Sequence, residues 1–192
     1  RASPDGCTAG GASVATAIGK ILGVDVDAVS KVAFVACRGS KECAKDKGIY
    51  RGLKSCSAAK LSIGGTKMCT FGCIGFGDCE EVCSFDALKI GEDGLPSINY
   101  SKCTGCSKCV KTCPNGLLQL TPKGSKGAIA LCQNRTLDKP SILKNCKNGC
   151  IKCGKCAEIC PPQILSFNQD KKIVMSDKKK CLHCFCCHEI CP

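Results

Sequence analysis

The spacing of hydrophobic and polar positions along residues 1–66 predicts two helices and a strand. Residues 11–22 carry apolar side chains three or four positions apart and are followed by Gly23, which predicts a helix that ends there. Residues 31–37 are almost all apolar, as in a buried strand. Residues 55–63, followed by two glycines, predict a second short helix. Together they predict a small N-terminal α/β segment.

Two later stretches, residues 87–99 and 164–176, predict β-hairpins. Each has apolar positions on both sides of a polar turn, at residues 92–94 in the first and 168–171 in the second. The predicted facing side chains are Leu88 and Ile90 against Leu95 and Ile98, and Leu165 and Phe167 against Ile173 and Met175. The pattern as a whole predicts an α+β protein.

Cysteine changes this picture, because 23 of the 192 residues are cysteine. Sixteen of them lie in four runs: Cys69, Cys73, Cys79 and Cys83; Cys103, Cys106, Cys109 and Cys113; Cys150, Cys153, Cys156 and Cys160; Cys181, Cys184, Cys187 and Cys191. Neighbours this close make poor disulfide partners, and the total is odd, but the spacing suits several thiolates that bind one metal centre.

Three of the four runs have the spacing C-x2-C-x2-C-x3-C and are followed directly by proline. In two-cluster ferredoxins the first three cysteines of such a run bind one [4Fe-4S] cluster and the fourth binds the other. The run from Cys69 to Cys83 is irregular, but its partner run otherwise lacks a fourth ligand. The predicted ligand sets are Cys69, Cys73, Cys79 and Cys113; Cys103, Cys106, Cys109 and Cys83; Cys150, Cys153, Cys156 and Cys191; and Cys181, Cys184, Cys187 and Cys160.

The order of runs and hairpins indicates that the chain is duplicated. Superposing Cys73 on Cys150 aligns Cys69 with Cys146, Cys79 with Cys156 and Cys83 with Cys160, and leaves Phe76 opposite Cys153. Upstream, Ala36-Cys37 resembles Leu131-Cys132, which we expect to end a strand at residues 127–131. We therefore predict two tandem dicluster ferredoxin-like modules, residues 67–122 and 123–192, after the N-terminal segment of residues 1–66.

Seven cysteines lie outside these ligand sets: Cys7, Cys37, Cys43, Cys56, Cys132, Cys146 and Cys186. One interpretation makes them small buried hydrophobic side chains or reduced thiols near a cluster. The other groups Cys37, Cys43 and Cys56 with one further cysteine in an additional site. His183 and His188 are expected to lie near the last cluster or at the surface, because four cysteines already suffice as ligands there. The sequence predicts at least four [4Fe-4S] clusters and leaves a fifth or sixth open.

The formal charge of +12 is typical of a nucleic-acid-binding protein, but two observations argue against that function. A [4Fe-4S] core in its 2+ state carries a net charge of −2 with four thiolates, so four clusters reduce +12 to about +4. With 4% aromatic residues and no Trp, few side chains are available for base stacking. No apolar run reaches the length of a membrane span. The sequence has no nucleotide-binding loop and no Ser/His/Asp set that would indicate substrate chemistry. Whether the chain is an enzyme therefore stays open.

Several short motifs resemble one family. They are Asp5-Gly6-Cys7 with Gly10-Gly11 before the first helix, Val35-Ala36-Cys37-Arg38-Gly39 at the end of the strand, Ser55-Cys56 with Ala58-Ala59 and Gly64-Gly65, and Cys69-x2-Gly72-Cys73-x-Gly75-x-Gly77. In this layout the chain resembles the B subunit of the Rnf complex, a membrane-bound ferredoxin:NAD oxidoreductase that couples electron flow to ion pumping. The resemblance covers nearly the whole chain.

The resemblance implies a relay that accepts electrons from a soluble ferredoxin and passes them to other subunits of a membrane redox complex. Family members begin with a membrane helix and a four-cysteine domain, whose fourth ligand Cys7 would match. We therefore expect this chain at the cytoplasmic face of the cell membrane, peripheral or anchored through a helix that precedes Arg1. Lys171, Lys172 and residues 178–180 lie beside the last cysteine run and are expected to attract an acidic ferredoxin.

Two alternative functions use the same cysteines. A stand-alone polyferredoxin, or the electron-input subunit of a hydrogenase or disulfide reductase, would bind the same clusters. A structural zinc protein that acts as an interaction module would bind a different metal.

Overall fold

The computed structural model describes residues 4–7, 10–26, 29–170, 172–176 and 180–192. In chain order the elements are a 3-10 turn (Pro4–Gly6), α1 (Gly11–Leu22), β1 (Lys31–Val35), α2 (Cys56–Ile63), α3 (Asp78–Glu81), β2 (Leu88–Ile90), β3 (Pro96–Ile98), α4 (Lys108–Thr112), β4 (Leu118–Pro122), α5 (Lys139–Asn145), α6 (Lys155–Glu158), β5 (Leu165–Asn168), β6 (Ile173–Ser176) and α7 (Cys186–Glu189). The predicted mixture of helix and strand is confirmed. Among these elements, no helix is long and apolar enough to cross a membrane.

The two helices predicted in the N-terminal segment are present as α1 and α2. Gly23 and Gly64 follow them in the left-handed conformation, with φ of 66° and 69°, which ends each helix where the sequence predicts. The Ser55 side chain accepts a hydrogen bond from the N–H of Ala58 and caps the start of α2.

The predicted strand also forms, and its partner lies far along the chain. β1 pairs antiparallel with β4, in the register that sets Val35 opposite Leu118. Val32, Ala33 and Phe34 are buried on this strand, as its apolar composition predicts. The sheet joins the segment predicted as residues 1–66 to the module predicted as residues 67–122.

Both predicted hairpins form, with pairings that differ in detail from the prediction. β2 and β3 pair Leu88 with Ile98 as predicted, but Ile90 faces Pro96, because Leu95 belongs to the turn and donates its N–H to Asp93 Oδ1 at 3.0 Å. In the second hairpin, β5 and β6 set Leu165 and Phe167 opposite Ser176 and Val174, so the predicted register was wrong by one residue. The apolar pattern of β6 allows either register, since Ile173 and Val174 are both apolar.

Each cysteine run contains a helix of four or five residues that starts after a left-handed residue. Gly77, Ser107, Gly154 and Phe185 have φ of 90°, 62°, 83° and 61° and directly precede α3, α4, α6 and α7. The four runs therefore share one local conformation. The strand predicted at residues 127–131 is not formed, since these residues have no regular secondary structure.

Residues 43–47 pair with two other segments of the chain. On one side, the N–H of Lys45 donates to the Asn145 carbonyl at 2.9 Å, next to an isolated bridge between Ala44 and Cys146. On the other side, the N–H of Lys47 donates to the Thr66 carbonyl at 2.8 Å. The segment thus holds together the stretches that lead into Cys69 and contain Cys146.

The hydrophobic core is small and is built partly from cysteine. One cluster of buried side chains consists of Cys37, Cys73 and Leu117, a second of Cys79, Leu88 and Leu118, and a third of Cys160, Ile164 and Leu165. Cores this small contribute limited stability, so a metal bound by the same cysteines would add an essential part of it.

Candidate metal centres

The structure brings twenty of the cysteines together in five groups of four, which we call sites 1 to 5. We use first half for the described residues up to 122 and second half for those from 123. Site 1 contains Cys83, Cys103, Cys106 and Cys109; site 2 contains Cys56, Cys73, Cys79 and Cys113; site 3 contains Cys37, Cys69, Cys132 and Cys146; site 4 contains Cys150, Cys153, Cys156 and Cys191; site 5 contains Cys160, Cys181, Cys184 and Cys187.

Site 1 is a cavity between hairpin β2–β3, the β1–β4 sheet and the second cysteine run, and its four cysteines are those that the sequence predicts together. Gly105 lies in its loop with φ of 69°, and a Cβ there would overlap the carbonyl oxygen of Lys31 in β1. Glycine is therefore required at this position, where the backbone of β1 crosses the loop.

Hydrogen-bond donors in site 1 are directed at the cysteine sulfurs. The N–H of Ala33 donates to Cys103 Sγ, and the N–H of Ala87 donates to Cys83 Sγ, each at 3.4 Å. Thr104 Oγ1 lies in the same cavity and is buried with no partner among the described residues. A bound [4Fe-4S] cluster, whose sulfides accept hydrogen bonds, would satisfy this hydroxyl, so the residues present fit such a cofactor.

Site 2 differs in one member from the set predicted from the ferredoxin rule. Its cavity is lined by Cys56, Cys73, Cys79 and Cys113, and Cys69 lines a different cavity. Phe76 occupies the position that a regular run would give to its second cysteine. Cys56, the first residue of α2, lies on this cavity instead.

Asp78 fixes Cys56 against site 2. Its carboxylate accepts the N–H of Cys56 at 2.6 Å, the N–H of Ser57 at 3.0 Å and the hydroxyl of Ser55 at 3.0 Å. Partial burial raises the pKa of Asp78, but the hydrogen bonds from Cys56, Ser57 and Ser55 outweigh this effect and lower the pKa below its ordinary value. Since Asp78 directly precedes Cys79, the interaction ties α2 to the first cysteine run.

Sites 4 and 5 contain the cysteines that the sequence predicts together in the second half. Burial raises the pKa of Cys156, and the nearby thiols of Cys150, Cys153 and Cys191 raise it further. Burial likewise raises the pKa of Cys187, as do its neighbours Cys160, Cys184 and Cys181. These mutual effects require the members of each group to lie close together.

Several of these thiols are in surroundings that favour the neutral form. The pKa is raised to about 12 for Cys73 and Cys79 and to about 11 for Cys109. Burial is the main cause of the increase in all three. Metal binding needs thiolates, so iron would have to displace protons that these cavities otherwise retain.

Among the described residues, no three His, Cys, Asp or Glu side chains converge on a point that a single metal ion would occupy.

Three cysteines and the two histidines lie outside the five sites. Cys7 is exposed, Cys43 Sγ accepts a hydrogen bond from Asn148 Nδ2 at 3.2 Å, and Cys186 lies beside Cys184. His183 and His188 are exposed. The additional site proposed from Cys37, Cys43 and Cys56 does not form as one group, because Cys37 lines site 3 and Cys56 lines site 2. Of the predicted steering lysines, Lys172 and Lys180 are exposed, and Lys171, Lys178 and Lys179 lie outside the described residues.

Comparison with protein families finds iron–sulfur domains in three parts of the chain. Residues 149–192 match a 4Fe-4S dicluster domain, and residues 95–118 and 73–87 each match a 4Fe-4S binding domain. These matches include the runs that contain most of the cysteines in sites 1, 2, 4 and 5.

Three similar proteins are B subunits of ion-translocating oxidoreductase complexes. The chain is 43% identical to the B subunit of the Na(+)-translocating ferredoxin:NAD(+) oxidoreductase complex of Acetobacterium woodii. The alignment covers 151 residues, which are 78% of this chain and 44% of that protein. It is 36% identical over 157 residues to the B subunit of the ion-translocating oxidoreductase complex of Methanosarcina acetivorans, 81% of this chain and 58% of that protein. The chain is a relative of these B subunits. The B subunit of the proton-translocating ferredoxin:NAD(+) oxidoreductase complex of Clostridium ljungdahlii is 36% identical over 148 residues, 77% of this chain and 51% of that protein.

These comparisons confirm the resemblance stated from the sequence motifs and the predicted cofactor. The chain is an iron–sulfur protein with several [4Fe-4S] clusters. It spans about half the length of the curated relatives that it matches.

Proposed function

We propose that this chain is the multi-cluster electron carrier of a membrane-bound, ion-translocating ferredoxin:NAD oxidoreductase of the Rnf type. The observation that carries the proposal is the convergence of cysteines into quartets along a chain that is 36–43% identical to three B subunits of such complexes. In this proposal the chain lies at the cytoplasmic face of the membrane and contacts other subunits of the complex.

We propose a tandem dicluster arrangement in which sites 1 and 2 belong to the first module and sites 4 and 5 to the second. The proposed ligands of sites 1, 4 and 5 are those that the ferredoxin rule predicts. For site 2 we propose Cys56 in place of Cys69, since Cys56 lines the cavity with the other three cysteines. The N-terminal segment then supplies a ligand to the first module, which is consistent with the β1–β4 sheet.

Each [4Fe-4S] cluster, when bound, takes up and releases single electrons. The chain's residues hold the thiolates in largely apolar cavities and direct backbone N–H groups to their sulfurs, as Leu117 does to Cys113 at 3.4 Å. Sites 1 and 2 share one core, in which Cys83 and Cys109 pack against the cluster of Cys79, Leu88 and Leu118. In the second half, Cys156 of site 4 and Cys187 of site 5 pack against the cluster of Cys160, Ile164 and Leu165. The cysteines of paired sites thus share one core, which suits electron transfer between those sites.

We propose a reduced soluble ferredoxin as the electron donor and site 5 as its point of contact. Cys184 is an exposed member of site 5, and Leu182 and Phe185 beside it each expose 66% of their surface. Lys172, directly before β6, and Lys180, next to Cys181 in the chain, are also exposed. An exposed apolar patch, with basic residues close to it along the chain, suits a small acidic electron-transfer protein.

A stopped-flow experiment tests the donor. The full chain, prepared anaerobically, is mixed with reduced ferredoxin at ionic strengths from about 0.02 to 0.5 M, a range over which charge attraction is progressively screened. We expect the second-order rate to fall steeply with salt and to fall several-fold at low salt in the double variant Lys172→Glu, Lys180→Glu. The matched control is Lys20→Glu, Lys123→Glu, which changes the charge equally elsewhere. A rate that is independent of salt, or a control that slows equally, contradicts contact at site 5.

One relative supports testing for a different parent complex. The polyferredoxin protein MvhB of Methanothermus fervidus is 32% identical over 100 residues, 52% of this chain and 22% of that protein. Co-purification from membranes with subunits of an ion-translocating oxidoreductase supports the Rnf-type proposal. Co-purification with a hydrogenase instead overturns it.

A further inference from the structure

We propose that site 3, formed by Cys37, Cys69, Cys132 and Cys146, holds a fifth [4Fe-4S] cluster that connects the two halves of the chain. The inference rests on the proposed function, because it assumes that the other sites bind such clusters. It goes beyond the ferredoxin rule, since none of these four cysteines except Cys69 belongs to a run and the rule assigns Cys69 elsewhere.

The four thiols converge on one cavity from four separate segments. Cys37 follows β1, Cys69 follows the segment paired with residues 43–47, and Cys146 directly follows α5. Cys37 and Cys146 are buried, at 9% and 8% exposure. A Cβ added to Gly39 would lie 3.6 Å from both Cys37 Sγ and Cys146 Sγ, so these two sulfurs flank the same point.

The walls of site 3 are closely packed. A Cβ on Gly39 would approach Ala44 Cβ to 3.2 Å, and one on Gly72 would approach the carbonyl oxygen of Cys69 to the same distance. A Cβ on Gly149 would lie 2.6 Å from Ile142 Cγ2. Small residues are thus needed where the chain surrounds this cavity, as in a site built to a fixed size.

The internal duplication gives site 3 a twofold composition. The alignment of the halves pairs Cys69 with Cys146, and the similar dipeptides Ala36-Cys37 and Leu131-Cys132 pair Cys37 with Cys132. Each half therefore contributes the same two ligands. In each half the cysteine four residues later, Cys73 or Cys150, belongs to the adjacent site 2 or 4. Consecutive cysteines divided between two neighbouring sites are also the rule in two-cluster ferredoxins, which favours an iron–sulfur cluster over zinc.

Two lysines bring positive charge to this region. Lys67 is 5% exposed and donates from Nζ to the Gly39 carbonyl, and Lys152 donates from Nζ to the Thr136 carbonyl. Lys152 is also within electrostatic reach of Cys132 and Cys69. Among the described residues, neither lysine forms an ion pair with a carboxylate. A cluster with four thiolates and a net charge of −2 would be the counter-charge that these ammonium groups otherwise lack.

Site 3 touches one site of each half. Cys37 belongs to the same buried cluster as Cys73 of site 2, and the N–H of Cys150 in site 4 donates to Cys132 Sγ at 3.4 Å. The five sites therefore follow one another in the order 1, 2, 3, 4, 5. Without a cofactor in site 3, the two dicluster modules have no redox centre between them.

Iron and acid-labile sulfide analysis of the full chain tests the proposal. We expect about 20 of each per chain, and about 4 fewer in Cys132→Ser, or about 1 iron fewer with a [3Fe-4S] electron paramagnetic resonance signal. Cys43→Ser and Cys186→Ser are matched controls, which remove neighbouring thiols outside the five sites and should keep the full content. Cys69→Ser, in the other half, repeats the test if Cys132→Ser fails to fold.

The outcomes separate this proposal from the proposed function. A wild-type content of about 16 iron that Cys132→Ser leaves unchanged contradicts site 3 alone. One zinc per chain that disappears in Cys132→Ser, beside about 16 iron, overturns the identity of the metal. A chain without iron contradicts both proposals. As an independent readout, Cys132→Ser should slow the reduction of sites 1 and 2 by ferredoxin at least tenfold while sites 4 and 5 are reduced at the wild-type rate.

Discussion

The two halves of the chain use different residues for the same local conformation. In site 1 the left-handed position before the second cysteine of the run is Gly105, with φ of 69°, and in site 5 the corresponding residue is His183, with φ of 56°. A second pair of corresponding positions holds Gly75 and Lys152, with φ of 87° and 55°. At these two pairs of positions the loops are alike in the two halves, but only the first half has glycine there.

Neighbouring backbone explains the difference. A Cβ on Gly105 would overlap the Lys31 carbonyl of β1, and one on Gly75 would lie 2.9 Å from the carbonyl oxygen of Gly94 in the hairpin turn. In the second half, residues 127–131 form no strand equivalent to β1, and His183 is exposed. The cysteine loop itself thus tolerates a side chain at a modest cost in strain, and glycine is required where another segment covers the loop.

The same contrast applies to the proposed ligands of sites 2 and 4. Site 4 takes three cysteines from its own run, whereas site 2 takes Cys56 from α2 because Phe76 occupies the place of a local cysteine. In this assignment, site 2 depends on the N-terminal segment for one of its cysteines, and site 4 does not.

The strongest test of this comparison replaces Cys56. We expect Cys56→Ser to lose about four iron from the first half, or about one with a [3Fe-4S] signal, while sites 4 and 5 keep their spectra. Spin quantification by electron paramagnetic resonance after dithionite reduction measures this loss. If Cys56→Ser keeps the site 2 signal and Cys69→Ser removes it, the assignment from the ferredoxin rule is correct and ours is wrong.

A second test concerns Gly105. We expect Gly105→Ala to destabilise the first half by about 2 kcal/mol or more, because left-handed strain adds to the overlap with Lys31. Gly116→Ala is the matched control, since its φ is 61° and no atom lies within 4 Å of the added Cβ. Urea unfolding under anaerobic conditions gives the two values. Equal losses in both variants would show that strain alone, without the approach of β1, accounts for the glycine.

A smaller effect is expected for Asp78→Asn. The substitution weakens the hydrogen bonds to the start of α2, and we expect a loss of about 1 to 3 kcal/mol in the first half. Because the pKa of Asp78 is lowered in the folded state, its contribution is complete at neutral pH and is lost only as the pH falls below about 4. Asp86→Asn, which removes an exposed pairing with Lys89 and Lys102, is the control. Faster loss of site 2 iron in Asp78→Asn than in Asp86→Asn is the expected result, and equal rates contradict it.

Local features of this chain were predictable from sequence, and contacts between distant segments were not. Helices α1 and α2 and both hairpins follow from apolar spacing and glycine stops, which act within a few residues. The pairing of β1 with β4 joins residues more than eighty positions apart, and no local pattern specifies it. The one-residue shift in the second hairpin arose because Ile173 and Val174 satisfy either register equally well.

The candidate sites divide in the same way. Sites 1, 4 and 5 are assembled largely from regular runs, so their members could be grouped from spacing. Cys56 is grouped with site 2 because of the position of α2, and Cys69 with site 3 because of the position of residues 43–47. Both positions are set by contacts between segments that are distant in the sequence. One clue was present in the sequence: the alignment of the halves pairs Cys69 with Cys146 and leaves Phe76 opposite Cys153.

The twofold composition of site 3 also bears on how the protein is made. Ribosomes synthesise the chain from its N-terminus, so Cys37 and Cys69 are in place before Cys132 and Cys146 exist. Sites 1 and 2 draw all their cysteines from residues 56–113, so these cysteines are synthesised before the second half of the chain. The cysteines of site 3 are complete once Cys146 has been made, which is after those of sites 1 and 2 and before Cys187 and Cys191 complete sites 5 and 4. A nascent chain could thus connect its two repeats at site 3 before the last two sites of the second half are finished.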